Sequence, residues 1–217
     1  MVAGNCLVAV SSISRRLVLF WIILAGYLLI LIGALIFTVT RSWIYALTAF
    51  SLQTLGVGLL ALQIAPIPVA VAKCIVGWLA VTILAITISR EKKDSLRDPE
   101  GLIAPLFRMA LWILVFSSLV VLFPGLGGFF QNPPAGILLP SGFLLGIGLV
   151  NLGISEHPLR VSLSLLSLLQ GFELSYLWVE QSLLVLALLA VMDLSILVVL
   201  SILHSYNIPV ENSGIAL

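Results

Sequence analysis

Residues 182–203 read SLLVLALLAVMDLSILVVLSIL, an unbroken apolar run whose one ionisable side chain, Asp193, stands at its middle. As a helix this run rises about 33 Å, enough to cross the roughly 30 Å hydrocarbon core of a bilayer. A carboxylate at that depth costs about 2.5–3.5 kcal/mol on insertion scales unless a partner, a wet cavity or a proton relieves it. The run therefore predicts both a transmembrane helix and a place within it where chemistry is concentrated.

The remainder of the chain is built of the same material. Its 217 residues are 61% hydrophobic and 9% charged, whereas a water-soluble domain carries about 25% charged residues. Such a chain cannot coat its own surface in water, and lipid must be its solvent. Ten Lys plus Arg against nine Asp plus Glu leave a formal charge of +1, with no basic excess for nucleic acid and no acidic tail for a basic partner. Cys6 and Cys74 stand apart with no second thiol or imidazole at ligand spacing, so neither a disulfide framework nor a metal site is expected.

Six more spans precede the one quoted: 17–39, 44–62, 66–89, 102–123, 137–155 and 159–179. Arg41 and Ser42 separate the first two, and Pro66 with Pro68 opens the third, where a missing N–H is tolerated in the first helical turn. The expected fold is all-α, a polytopic membrane protein of about seven transmembrane helices. The expected organisation is an N-terminal tail over 1–16, a three-helix unit over 17–89, a cytoplasmic loop over 90–101 and a linking helix over 102–123. An outer Gly/Pro-rich loop over 124–140, a second three-helix unit over 141–206 and a tail over 207–217 complete it.

Orientation follows from the basic residues of the short loops. Arg41, Arg90, Lys92, Lys93, Arg97 and Arg160 fall on one side together with Arg108, and only Arg15 and Arg16 on the other. This predicts an outer N-terminus and a cytoplasmic C-terminus. The two three-helix units then enter from the same side, as in a direct repeat. RSWIYALTAFSLQTLGVGLLAL (41–62) and LRVSLSLLSLLQGFELSYLW (159–178) both set a Leu-Gln pair, Leu52-Gln53 and Leu169-Gln170, near mid-helix with a glycine close behind.

Besides Arg108 and Arg160 near the basic loops, three charges lie inside spans: Asp193, Glu173 and Lys73. Each has two readings, a part in charge movement or a structural one. Asp193 could be a buried contact of Lys73, Glu173 could reach the outer headgroups, and Lys73 could snorkel outward. His204 lies three turns beyond Asp193 on the same face, about 16 Å away, where it serves either the path or a solvated helix end. Ser164, Ser167, Gln170 and Glu173 recur every third residue and form a slowly winding polar row, either a path for a proton or cation or glue between helices. Glu156 and His157 fall in a cytoplasmic turn. No nucleotide-cradling loop, metal cluster, haem ligand pair or nucleophile–base set is present, so no catalytic residue and no cofactor are expected.

Four motifs carry a resemblance. The segment GFLLGIGLVNLG (142–153), the turn SEHPLRVSL (155–163), the helix LLQGFELSYL (168–177) and the last helix LLAVMDLSILVVLSIL (188–203) resemble the K subunit (chain 4L) of NADH-quinone oxidoreductase. They are more similar still to the component E membrane subunit of formate-hydrogenlyase-type hydrogenases. The first half, 31–90, resembles component E as well, Lys73 included. The resemblance implies a membrane-arm subunit packed in the bilayer beside large antiporter-like subunits, contributing buried charges to an ion path. It implies that Asp193 is the buried acid of the last helix and Lys73 the lysine of the first half. The middle helix departs from the pattern: Leu169 stands where the family has a glutamate, and Glu173 lies one turn further on. That departure leaves open a scaffold, or a relative of the C-type subunit of multi-subunit cation/proton antiporters.

Overall fold

The computed structural model describes residues 2–40, 42–89, 103–126, 135–155, 158–179 and 182–206. Arg41, the hydrophilic stretch 90–101, Glu156, His157, most of the Gly/Pro-rich loop and the C-terminal tail lie outside the described residues. The described residues form seven α-helices: α1 Val2–Val39, α2 Trp43–Ala61, α3 Ile67–Ser89, α4 Ile103–Leu126, α5 Ala135–Ile154, α6 Pro158–Val179 and α7 Leu183–Tyr206. Four of them hold stretches long and apolar enough to cross a membrane, Phe20–Val39, Trp43–Ala61, Ile67–Thr87 and Gly136–Ile154. Leu106–Leu122 in α4 and Ala187–Val199 in α7 are shorter apolar stretches.

Helix ends fall within a few residues of the predicted breaks, with two informative departures. First, α1 continues back to Val2 through the stretch read as a tail; that stretch contains no proline to stop it. Second, α5 starts at Ala135 and carries Pro140 inside it, so the Gly/Pro-rich loop ends earlier than 140. Pro140 lies in the second turn, where the missing N–H forfeits one hydrogen bond close to an end whose first donors are unpaired anyway. Between α2 and α3 the chain turns tightly, with Gln63 N–H donating to Leu60 O (3.1 Å) and Ala65 N–H to Ala61 O (2.8 Å). Pro68 then sits in the first turn of α3, where it costs nothing.

The helices form two triads, α1–α2–α3 and α5–α6–α7, which meet through α2 with α6, α3 with α7 and α1 with α5. Helix α4 lies across α1 and α5, where Trp112 stacks on Phe116 and both present edges to Phe143 of α5 at 5.5 and 6.1 Å. One buried cluster joins Phe37, Phe50, Leu84, Leu163 and Leu197 across both triads. A second, around Ile30, Val57, Leu60, Phe143 and Leu174, fills the junction with α5.

The tightest packing shows how the triads correspond. A Cβ on Gly56 would meet Gly26 O at 2.7 Å and Ile30 N at 3.1 Å; on Gly171 it would meet Ser141 O and Leu145 N, each at 2.8 Å. A Cβ on Gly33 would meet Gln53 N at 3.1 Å, and on Gly148 it would meet Leu168 N at 2.8 Å. Every member of the second set follows its counterpart by the same 115 positions. The α1–α2 and α5–α6 pairs are thus packed in one register, with small residues letting the backbones close up. This register differs by two residues from the one the Leu-Gln pairs suggest: Gln53 corresponds to Leu168, and Gln170 to Leu55.

Gly171→Ala tests the packing. The added methyl points at backbone atoms that cannot swing aside, and overpacking of this kind costs roughly 1–3 kcal/mol. Thermal unfolding in detergent should begin several degrees lower, whereas Gly153→Ala, with open space around it, should leave the transition in place.

Candidate functional site

Helix α6 is the polar helix of the bundle, and packing against α2, α5 and α7 keeps its winding row out of lipid. Ser164, Ser167, Gln170 and Glu173 are all buried. Because three residues fall short of a full turn, each step rotates the row around the axis, and successive members meet different neighbours. At its start Arg160 donates to the carbonyl of Thr40 at the end of α1, and Ser164 Oγ donates to Arg160 O at 2.7 Å. Midway, Gln53 Nε2 donates to Ser167 Oγ at 2.5 Å and Gln170 Nε2 to Thr54 Oγ1 at 2.8 Å. One turn further, Glu173 has rotated past α2 and forms an ion pair with Lys73 of α3.

Threonine serves as a two-way junction here. Thr54 Oγ1 donates to Phe50 O of its own helix at 3.0 Å and accepts from Gln170. Thr38 Oγ1 likewise donates to Ala34 O at 2.7 Å and accepts from Asn151 Nδ2 at 3.1 Å. Each hydroxyl returns its hydrogen to the helix it sits on and turns its lone pair to the other triad. Among the described residues three amide–hydroxyl bonds, Thr38–Asn151, Gln53–Ser167 and Thr54–Gln170, join the interface, stacked between Arg160 and Glu173. From Arg160 to Glu173 the row climbs about 20 Å at 1.5 Å per residue.

The three intramembrane charges converge. Glu173 is 3% exposed and holds Lys73, so neither side chain takes the outward course that was open to it in the sequence. Asp193 on α7 acts electrostatically on the same ammonium. Two carboxylates thus share one ammonium, and the fully ionised trio carries a net charge of minus one. Asp193 also lines a narrow crevice of about 10 Å³ with Phe50, Gly77, Ala80, Gln170 and Leu194, where α2, α3, α6 and α7 meet. Gly77 lets α3 close on Thr54, since a Cβ there would collide with the threonine side chain.

No family model matches the chain, and neither does any curated protein or solved structure. What the site can do rests on its own chemistry.

Of the residues singled out from sequence, Lys73, Glu173, Asp193 and Gln170 come together. His204 lies on α7, but its side chain is outside the described residues. Among the described residues no three His, Cys, Asp or Glu side chains are grouped to hold a metal ion. The sequence placed Ser167 in the polar row but did not single out Thr38, Thr54 and Asn151 as partners across the triads. A signal for one was present: Gln53-Thr54 is a polar pair in the middle of an otherwise apolar span, and buried polar groups require partners.

Proposed function

We propose that this chain is a seven-span membrane-arm subunit of a multi-subunit proton- or cation-translocating complex of the hydrogenase, NADH-quinone oxidoreductase or antiporter type. In this reading its N-terminus is outside and its C-terminus cytoplasmic, and it packs beside large antiporter-like subunits in an energy-transducing membrane. The observation that carries it is the trio: Lys73 is committed to Glu173, and Asp193, deep in α7, remains as a second carboxylate with a net charge of minus one to be balanced. A purely structural ion pair needs no second acid, and an unbalanced carboxylate in a low-dielectric setting invites a proton or a mobile cation. The buried polar row from Arg160 to Glu173, whose members each bond separately to a neighbouring group, supplies a polar approach from the side where the basic loops gather. The sequence motifs that resemble component E and the K subunit are in keeping with this role. Glu173, one turn beyond Leu169, then serves as the second carboxylate, with Lys73 setting the charge of both.

The alternative reading is an anchor that only holds partner subunits, for which the exposed apolar faces of α4 and α7, including Leu106, Val121, Leu184 and Leu188, offer surface. The triple substitution Lys73→Met, Glu173→Gln, Asp193→Asn separates the two. It removes every charge of the trio while keeping side-chain size. The ion-path reading expects a complex that still assembles on a native gel but no longer acidifies membrane vesicles. Normal pumping by the assembled triple variant would defeat it.

A further inference from the structure

Two buried acceptors at the crevice have no donor. Asp193 Oδ1 and Gln170 Oε1 are each sequestered from solvent without a hydrogen-bond partner, and both residues line the same void. Gln170 is 6% exposed, and its amide nitrogen is already committed to Thr54 Oγ1, which fixes Oε1 as the free atom. Leaving a buried acceptor unmade costs about 1–3 kcal/mol, and two such atoms on residues that line one void call for a guest with two donors. The void, about 10 Å³, is at the size that admits one water. A dehydrated metal cation needs about six oxygens around it, and only two unpartnered oxygens are offered here.

From this we infer that the crevice is a built site for one water molecule, which donates one hydrogen to Asp193 Oδ1 and the other to Gln170 Oε1. The rest of its lining, Phe50, Val76, Gly77, Ala80, Leu166 and Leu194, is apolar and offers it no competing side-chain partner. The water joins Asp193 to the inter-triad row through Gln170 and Thr54, by a route that does not pass through Lys73. A proton arriving there as hydronium passes to Asp193 Oδ1, leaving a neutral water and a neutral carboxylic acid, so charge and atoms balance. That last step rests on the proposed role of Asp193 as the protonatable centre; the water site does not.

Isotope-edited infrared spectroscopy of the full chain in lipid nanodiscs tests the site. The natural protein should show a sharp O–H stretch of non-bulk water that moves on exchange into heavy-oxygen water. Gln170→Leu, which removes one acceptor, and Ala80→Leu, which fills the void, should each abolish it, and Gln63→Leu, away from the crevice, should retain it. Absence of the band in the natural protein, its survival in Gln170→Leu, or its loss in Gln63→Leu would overturn the inference. Radiolytic hydroxyl labelling of the unaltered chain needs no variant. Phe50 beside the water should be oxidised several-fold faster than Phe143, which is equally buried but away from the crevice, and equal rates would count against a water. The two proposals fail separately. A missing band with pumping abolished by Asp193→Asn removes the water and keeps the ion path, and a band with pumping untouched does the reverse.

Discussion

Lys73→Met should be the most destabilising single substitution in this chain, lowering stability by about 3–5 kcal/mol, a large share of the 5–15 kcal/mol that typically separates folded from unfolded protein. Methionine fills nearly the same volume, so the loss is one of charge. Glu173, 3% exposed, would be left as an unpaired carboxylate, and Asp193 would lose the ammonium that acts on it. The ion pair itself contributes little net stability, because taking both ions out of water offsets most of their attraction. Adding Glu173→Gln should therefore restore most of what Lys73→Met removes. Unfolding of the single and double variants in detergent, closed into a double-mutant cycle, measures this. Equal destabilisation of the two would mean that Glu173 does not depend on Lys73.

The helices were readable in the sequence for a physical reason. Lipid tolerates no unpaired backbone group, so an apolar run of bilayer length has little choice but helix. Breaks at Ser42, Pro66 and Pro158 are written in local chemistry and fall within a residue or so of the observed ends. The site was half readable. Asp193, Glu173 and Lys73 stand out because charge is scarce, but which of them meet depends on how the triads dock. Helical spacing within one span says nothing about the angle between two. The direct repeat expected from the sequence shows the same limit. The Leu-Gln pairs look like its signature, yet the glycines that let backbones touch keep a register two residues away, because close packing constrains size where composition constrains only polarity. Gln53 and Gln170 are then not equivalents in a duplicated helix. They are two donors aimed across the junction in opposite directions, each finding a hydroxyl of the other triad.

That opposition gives the junction its character. The triads meet partly across amide–hydroxyl bonds where apolar contact would be cheaper to insert, and measured interhelical bonds in membranes contribute only about 0.6 kcal/mol each. Stability alone is thus a weak reason to keep Thr38, Gln53, Thr54, Asn151, Ser167 and Gln170 at one interface. A row that leads from Arg160 to Lys73 and Glu173, with Asp193 beside its far end, has a further use if charge must reach that end.

Asp193→Asn carries the largest expected functional effect. The substitution keeps the shape of the side chain and an oxygen at the crevice while removing the ability to bind and release a proton. It also leaves the trio neutral, with Lys73 still paired to Glu173, so insertion and folding should be unharmed or slightly improved. Loss of activity without loss of assembly is therefore the specific expectation, the reverse of the pattern for Lys73→Met. Proton uptake by inverted vesicles, normalised to assembled complex on a native gel, should fall at least about tenfold, equivalent to roughly 1.4 kcal/mol on the limiting barrier. Asp193→Glu retains a carboxyl but adds a methylene beside a void of about 10 Å³, and it should pump at an intermediate rate. If Asp193→Asn pumps normally while Asp193→Glu is impaired, the position matters for its size and not its proton, and α7 is a packing element of an anchor subunit.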